Sequence, residues 1–305
     1  LYGIPVVETR AAPSVDAARE AAEAIGYPVA LKLDSPDISH KSDVRGVILN
    51  IDSADELLAS AVAMLRRGHE LRPQARLTGF IVQPMVRRPN AFELLVGVAN
   101  DPQFGPVIVF GHGGTAVEIV GDRAVALPPL NTALAHELVS RTRIARLLAG
   151  YRDRPPVDLA AICRVLVAVS QMVIDLPELA ELDINPLLVD EQGVVALAGR
   201  ARVAKQDRAH GEARLAIRPY PRELEEAFAW DDGEMLMRPI RPDDGERHLA
   251  FLARLDPEDI RLRVFSSRRS IAPSELARLT QIDYEREMAF VATIAGADGQ
   301  QETIG

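Results

Sequence analysis

A lysine on a short apolar strand, followed by a polar loop that ends in glycine, is a natural partner for phosphate. Pro28-Val29-Ala30-Leu31-Lys32-Leu33 reads as such a strand and carries Lys32. An ammonium on a flexible stem acts as a point charge on phosphate oxygens. The loop behind it, 34–46, holds His40, Lys41, Ser42 and Asp43, which offer further polar groups. The same residue types also suit a solvated surface loop. A second group is Phe110-Gly111-His112-Gly113-Gly114-Thr115. A glycine-rich turn after a strand lets backbone N–H groups approach an anion. No Gly-Lys-Ser/Thr follows, so it is not a P-loop, and its glycine spacing is not that of the dinucleotide fingerprint. A plain tight turn is the competing reading. A third group is Glu181-Leu182-Asp183-Ile184-Asn185-Pro186. Alternate positions on a strand share a face, so the oxygens of Glu181, Asp183 and Asn185 could hold Mg²⁺, which completes its shell with water and phosphate. The same run also reads as a strand entry with a turn-forming Asn-Pro.

Other candidates are weaker. Arg87-Arg88-Pro89-Asn90 reads as a solvated hairpin tip. His112 either touches phosphate or lines its turn. His69, His136, His210 and His248 lack metal-ligand spacing, and no Ser–His–Asp set can be argued.

The elements that must position these groups alternate between helix and strand. Ser14 caps a helix that ends at Gly26. Ser53 and Glu56 have capping-box spacing ahead of a helix running to about Arg66. Strands are expected at 47–51, 79–85, 93–99 and 106–110. One helix is expected over 132–148, and another, opened by Asp158, carries Leu159, Ile162, Leu166, Val169 and Val173 on one stripe. Residues 184–189 and 194–197 read as a hairpin. The class is therefore α/β or α+β. A polar stretch and Pro219-Tyr220-Pro221 mark a linker at 204–233. A new unit follows, with a strand at 235–238, a helix capped by Asp243 and a strand at 288–294.

Composition narrows the function. Length, 48% hydrophobic and 26% charged residues suit a globular chain of two domains. A net charge of −9 argues against nucleic acid and anionic membranes as partners. No apolar run reaches the roughly 20 residues of a membrane span. The one cysteine, Cys163, excludes an intramolecular disulfide and reads as a small apolar core residue, which points to a reducing, cytoplasmic setting. A chain that opens on Leu1 and stops at Gly305 reads as a piece of a longer protein.

The order of the segments carries a resemblance. Tyr2 to Val6, Gly26 to Lys32, Ser35 to Val44, Glu93 to Val98, Asp101 to Pro106, Gly111 to Thr115 with Glu118, Arg154 to Asp158 and Glu181 to Pro186 succeed one another. This series resembles the ATP-grasp domain of ADP-forming acetate–CoA ligases, over residues 1–203. The resemblance implies an ATP-grasp fold with two subdomains that binds ATP or ADP with Mg²⁺. It implies that Lys32 binds phosphate, that Gln83, Met85 and Val86 form the hinge that receives adenine, and that Glu93 is acidic in the nucleotide site. It places Gly113 and Gly114 near the phosphates, Asn185 on Mg²⁺, and His40 in a phosphoryl relay. The partners it implies are upstream CoA-binding and phosphohistidine domains, and it leaves oligomerisation open.

Residues 234–305 resemble the start of a GNAT acetyltransferase domain, through Arg238-Pro239-Ile240-Arg241-Pro242-Asp243-Asp244, Arg263-Val264-Phe265, Leu276 to Tyr284 and Glu287 to Ala292. The fusion resembles large bacterial protein-lysine acetyltransferases, which implies acetyl-CoA and a protein substrate. The acetyl-CoA turn of that family falls beyond Gly305, so no acetyl transfer is expected of this segment alone. Two departures stand out. Leu197-Ala198-Gly199-Arg200 has alanine where relatives often carry a metal-binding Asp, with Asp183 as a stand-in donor. Pro84 stands where many relatives have Glu. These departures make a catalytically dead regulatory module the alternative reading.

Overall fold

The computed structural model describes residues 1–38, 41–114, 117–152, 154–205, 214–230, 233–256, 258, 271–296 and 301–305. The described residues build three sheets, and every strand pairing among them is antiparallel.

The first sheet holds β1 (Arg10–Ala12), β2 (Val29–Asp34), β3 (Val47–Ile51) and β4 (Gly79–Pro84), in the order β1-β4-β2-β3. Two helices, α1 (Val15–Ile25) and α2 (Ala54–Leu71), cover one face. Both start where short polar side chains cap them. Ser14 Oγ accepts the Ala17 N–H, and Ser53 Oγ accepts the Glu56 N–H. Glu56 reaches back to the Asp52 N–H rather than to that of Ser53. The core beneath the helices contains Leu31, Leu33, Leu57, Met64, Phe80 and Val82. Leu31 and Leu33 point to the helices, so Lys32 between them points to the other face.

The second sheet has the order β10-β8-β5-β6-β7, with β9 paired to β8. Its strands are β5 (Phe92–Asp101), β6 (Gly105–His112), β7 (Arg123–Ala126), β8 (Leu179–Asp190), β9 (Gly193–Ala196) and β10 (Gly199–Val203). Around it lie α3 (Val117–Val120), α4 (Thr132–Ser140), α5 (Ala145–Leu148) and α6 (Leu159–Asp175). The apolar stripe of α6 is buried on this sheet, capped by Asp158, whose carboxylate accepts the Ala161 N–H. Cys163 is buried on the same helix, and burial pushes its thiol pKa up.

The single helix expected over 132–148 is broken. Asp122 accepts the N–H groups of Arg143 and Ile144, which starts α5 afresh. The expected hairpin tip at Arg87-Arg88 is also corrected. Arg87 is exposed, but Arg88 is only partly so: it donates to Asp190 at 2.9 Å and to the Gly193 carbonyl at 3.1 Å, and the Asp190 side chain is 7% exposed. Arg88 thus pins the passage from the first sheet to the second against the β8–β9 turn. Arg88→Ala leaves a nearly buried carboxylate without its cation. It should cost about 1–2 kcal/mol, less than a fully buried pair because Arg88 keeps some water contact. Urea unfolding of the variant checks this.

The third sheet is β11 (Glu226–Trp230), β12 (Gly233–Pro239), β13 (Phe290–Ala295) and β14 (Gln301–Thr303). Helix α7 (Gly245–Arg254) and a helix at Pro273–Thr280 accompany it. The stretch read as a linker is not all spacer. Leu215 is buried in the second core, Arg214 donates to the Leu179, Val173 and Leu176 carbonyls, and β11 lies inside the expected boundary. Asp244, not Asp243, organises the start of α7: it accepts the Arg241 N–H and pairs with buried Arg238 through two 2.7 Å bonds.

Candidate functional site

The chain crosses between the first two sheets twice. Residues 5–7 lie along β9, with the Val7 N–H on Ala196 O and the Ala196 N–H on Pro5 O. The chain then enters β1 and leaves the first sheet at the end of β4. Thr9 and Gln83 sit at these two crossings. Gln83 Nε2 donates to Thr9 Oγ1 at 2.9 Å and to the Leu197 carbonyl at 3.2 Å. Gln83 is buried.

Lys32 reaches the same carbonyl. Its Nζ donates to Leu197 O at 2.9 Å, across from the first sheet to the turn between β9 and β10. The neighbouring Ala198 carbonyl accepts the Asn185 N–H at 3.2 Å. Asn185 Oδ1 in turn accepts the Gly114 N–H at 2.8 Å. The Gly113 N–H donates to Glu93 O, and a Cβ on Gly114 would collide with the Glu93 carboxylate. A chain of contacts therefore runs from Lys32 through 197–198 and Asn185 to Gly114 and Glu93. It brings together the lysine, the glycine turn, the amide and the acid that the sequence singled out in four separate segments.

Strand geometry explains the shared direction. On β8, Leu182 and Ile184 are buried in the core, so Asp183 and Asn185 face the opposite side. On β5, Phe92 and Leu94 are buried and Glu93 is exposed between them. The polar residues thus lie on the face away from α6. His112 lines the turn, with its Nδ1 2.9 Å from the Gly113 carbonyl.

The charge balance of this place is uneven. Burial, and then the charge of Lys41, lower the Lys32 pKa to about 8. Burial lowers Lys41 as well, with Asp34 opposing. Among the described residues no carboxylate is ion-paired to Lys32. Two half-buried cations that repel each other, with only Asp34 acting on Lys41 and no carboxylate paired to Lys32, are matched to an anionic ligand.

Met85 follows β4. Its N–H donates to Pro28 O and its sulfur accepts the Asn50 N–H at 3.4 Å. Met85 and Val86 are half-buried in the crossing between the sheets. His40 and Thr115 lie outside the described residues. Among the described residues, no group of three or more His, Cys, Asp or Glu side chains converges as a metal site. Asn185 Oδ1 has one lone pair left beyond its bond to Gly114. Such sparse donors suit an Mg²⁺ ion that arrives with phosphates and takes most of its shell from them and from water. No helix among the described residues is long and apolar enough to cross a membrane.

Sequence reading missed three parts of this arrangement. Thr9 gave no signal, and Arg88 reads as a solvated tip, because their partners are far along the chain. The Leu197 carbonyl gave none because every residue carries one.

Comparison with known proteins gives the following. A family profile described as "ATP-grasp domain" matches residues 1–203. An ADP-forming acetate–CoA ligase I of Archaeoglobus fulgidus is 44% identical over 192 residues, which is 63% of this chain and 28% of that protein. The β subunit of an ADP-forming acetate–CoA ligase II of Pyrococcus furiosus is 39% identical over 203 residues, 66% of this chain and 85% of that subunit. An acetyl-coenzyme A synthetase of Ca. Korarchaeum cryptofilum, solved with coenzyme A and Ca-AMPCP, superposes with a TM-score of 0.63 at 34% identity. It covers 67% of this chain and 88% of that one. An acetyltransferase of Pseudomonas aeruginosa is 38% identical over 76 residues, 25% of this chain and 40% of that protein. The chain thus spans less than a third of the Archaeoglobus ligase and most of the Pyrococcus subunit.

Proposed function

The chain belongs to the ATP-grasp family, and from that premise we propose that residues 1–203 are the nucleotide module of an ADP-forming acyl-CoA ligase-like protein. In this reading the phosphates of ATP or ADP lie between the first two sheets. The observation that carries it is the contact of Lys32 with Leu197, next to the Ala198–Asn185–Gly114 chain. Lys32 and Lys41 supply positive charge, the N–H groups at 113–114 line the turn, and Gln83, Met85 and Val86 receive the base. Asn185, with Asp183, would hold Mg²⁺, whose part is to neutralise the phosphate oxygens. His40 is the proposed carrier that passes a phosphoryl group between the nucleotide and a histidine of a CoA-binding domain. Residues 234–305 are proposed as the beginning of an acetyltransferase domain, acting with acetyl-CoA on a protein substrate in the longer protein. The short acetyltransferase match supports that part.

A second reading has one observation in its favour. Ala198 follows the partner of Lys32 in sequence and its own carbonyl accepts the Asn185 N–H, so a carboxylate at this position would lie beside both the phosphates and the metal. Without that carboxylate the module could bind nucleotide and regulate without transferring phosphate.

Calorimetric titration with Mg-ADP between pH 7 and 9 tests nucleotide binding. Lys32 titrates at about 8 in the free protein, below the ordinary 10.5. Folding is therefore penalised where Lys32 is charged, below pH 8, and the penalty fades as pH rises from about 8 to 10.5. Phosphate raises this pKa again, so above pH 8 binding takes up a proton. Affinity should hold between pH 7 and 8 and fall about tenfold by pH 9, since one pKa unit is a factor of ten. Lys32→Arg should flatten the fall. A pH-independent affinity in the parent protein would remove Lys32 from the site, and no heat at any pH would end the nucleotide reading. Incubation with γ-labelled ATP separates the two readings: label lost in His40→Ala marks a relay, while binding without label marks a regulatory module.

A further inference from the structure

Two arginines meet at the edge of the first sheet. A solvent-open pocket of about 510 Å³ is lined by Arg45, Val47, Ile48 and Arg67. It lies at β3, which is an edge strand of the first sheet. Arg67 comes from α2, on the helix-covered face, whereas Lys32 points from the opposite face toward Leu197. The pocket thus wraps the edge of the sheet: Arg67 and Ile48 reach it from the helix-covered side, and Val47, opposite Lys32 in the strand register, from the other.

Neither guanidinium has a hydrogen-bond or ion-pair partner among the described residues, and Arg67 Nε is shut off from solvent without one. Arg19, Arg76, Arg88, Arg143 and Arg202 all have carboxylate partners, and acidic residues outnumber basic ones by 44 to 35. Arg45 also sits at φ 49°, in the left-handed region that a residue with a Cβ disfavours. Strain of this kind, held beside two unpaired charges in a pocket, is a mark of a functional position.

We propose that Arg45 and Arg67 bind the phosphate group of a ligand at this second site. Two guanidinium forks carry a charge of two, which a phosphate dianion balances and a single carboxylate does not. The volume exceeds that of a phosphate ion, and Val47 and Ile48 add an apolar wall, so the occupant is an organic phosphate ester. Free inorganic phosphate is the other source of the same chemistry.

The test uses the whole chain carrying Lys32→Met, which disables the nucleotide cleft. Inorganic phosphate and phenyl phosphate are titrated separately by calorimetry. The expected result is that both probes still bind this variant, with phenyl phosphate the tighter. Adding Arg67→Gln or Arg45→Gly should weaken it about tenfold or more, the loss of a charge-assisted bond. In the chain with Lys32 intact, either substitution should leave Mg-ADP affinity within about twofold. Arg45→Gly relieves the left-handed strain, so its thermal midpoint should not fall, which keeps loss of binding distinct from loss of fold. Equal affinity for the two probes supports the site but assigns it to the free ion. Absence of phosphate binding in Lys32→Met, or binding that survives both arginine substitutions, overturns the proposal.

Discussion

Lys32→Met weakens Mg-ADP binding by about 100-fold and leaves the thermal midpoint unchanged or higher. The first half follows from the missing charge. A hydrogen bond to a charged partner contributes about 1.5–3 kcal/mol, and here the ammonium works in a half-buried place where water competes poorly. Lys41 remains nearby but cannot replace it, since it approaches from the loop rather than from β2. The second half follows from the charge balance of the free protein. Lys32 is desolvated and repelled by Lys41, and its bond to the Leu197 carbonyl is one neutral acceptor against both costs. Methionine keeps the length and the strand position while removing the charge. A binding defect with an intact melting curve assigns Lys32 to the ligand. A variant that melts early would instead make Lys32 a strut between the sheets. The measurement is a pair, Mg-ADP titration and a thermal melt on the same preparation.

How much of this was legible beforehand depends on how far each signal travels along the chain. Helix starts at Ser14, Ser53 and Asp158 were legible, because the cap and the N–H it accepts lie three residues apart. The strand of Lys32 and the turn at Gly113–Gly114 were legible for the same reason: periodicity and glycine act locally. β1 and β14, each of three residues, were missed because they are too short to show a period, as was the four-residue β7. β10 was missed because it is exposed throughout, so no apolar alternation marks it. The break between α4 and α5 was missed because Asp122 acts across 21 residues. Arg88 was misread because Asp190 is 102 residues away. The site residues had recognisable types, yet their convergence depends on antiparallel register and on a backbone carbonyl, neither of which composition reveals.

The role of Gly113 shows the difference between reading a residue and seeing what it touches. From the sequence, the glycines of this turn give backbone N–H groups room to approach an anion. In the structure a Cβ on Gly113 would run into the backbone N, C and O atoms of Leu94, near the start of β5. Its own N–H is already on the Glu93 carbonyl. The absence of a side chain is needed first for the packing of the turn against the strand, and only then for a ligand. Backbone atoms in a paired strand cannot swing aside as a side-chain end can. Gly113→Ala must therefore shift the turn, break the Glu93 bond, and pull Gly114 off Asn185. It should destabilise the protein by about 2–4 kcal/mol, as overpacking against a rigid neighbour does, and should weaken Mg-ADP binding in the fraction that stays folded. Gly114→Ala is the informative contrast. Its φ of 82° makes a Cβ strained, but the atom it would meet is the movable end of Glu93. That change should cost only about 1 kcal/mol while displacing the carboxylate from the turn. Urea unfolding of both variants decides it. If Gly113→Ala proves as mild as Gly114→Ala, the turn does not press on β5, and the link from Asn185 to Glu93 through these two glycines is lost with it.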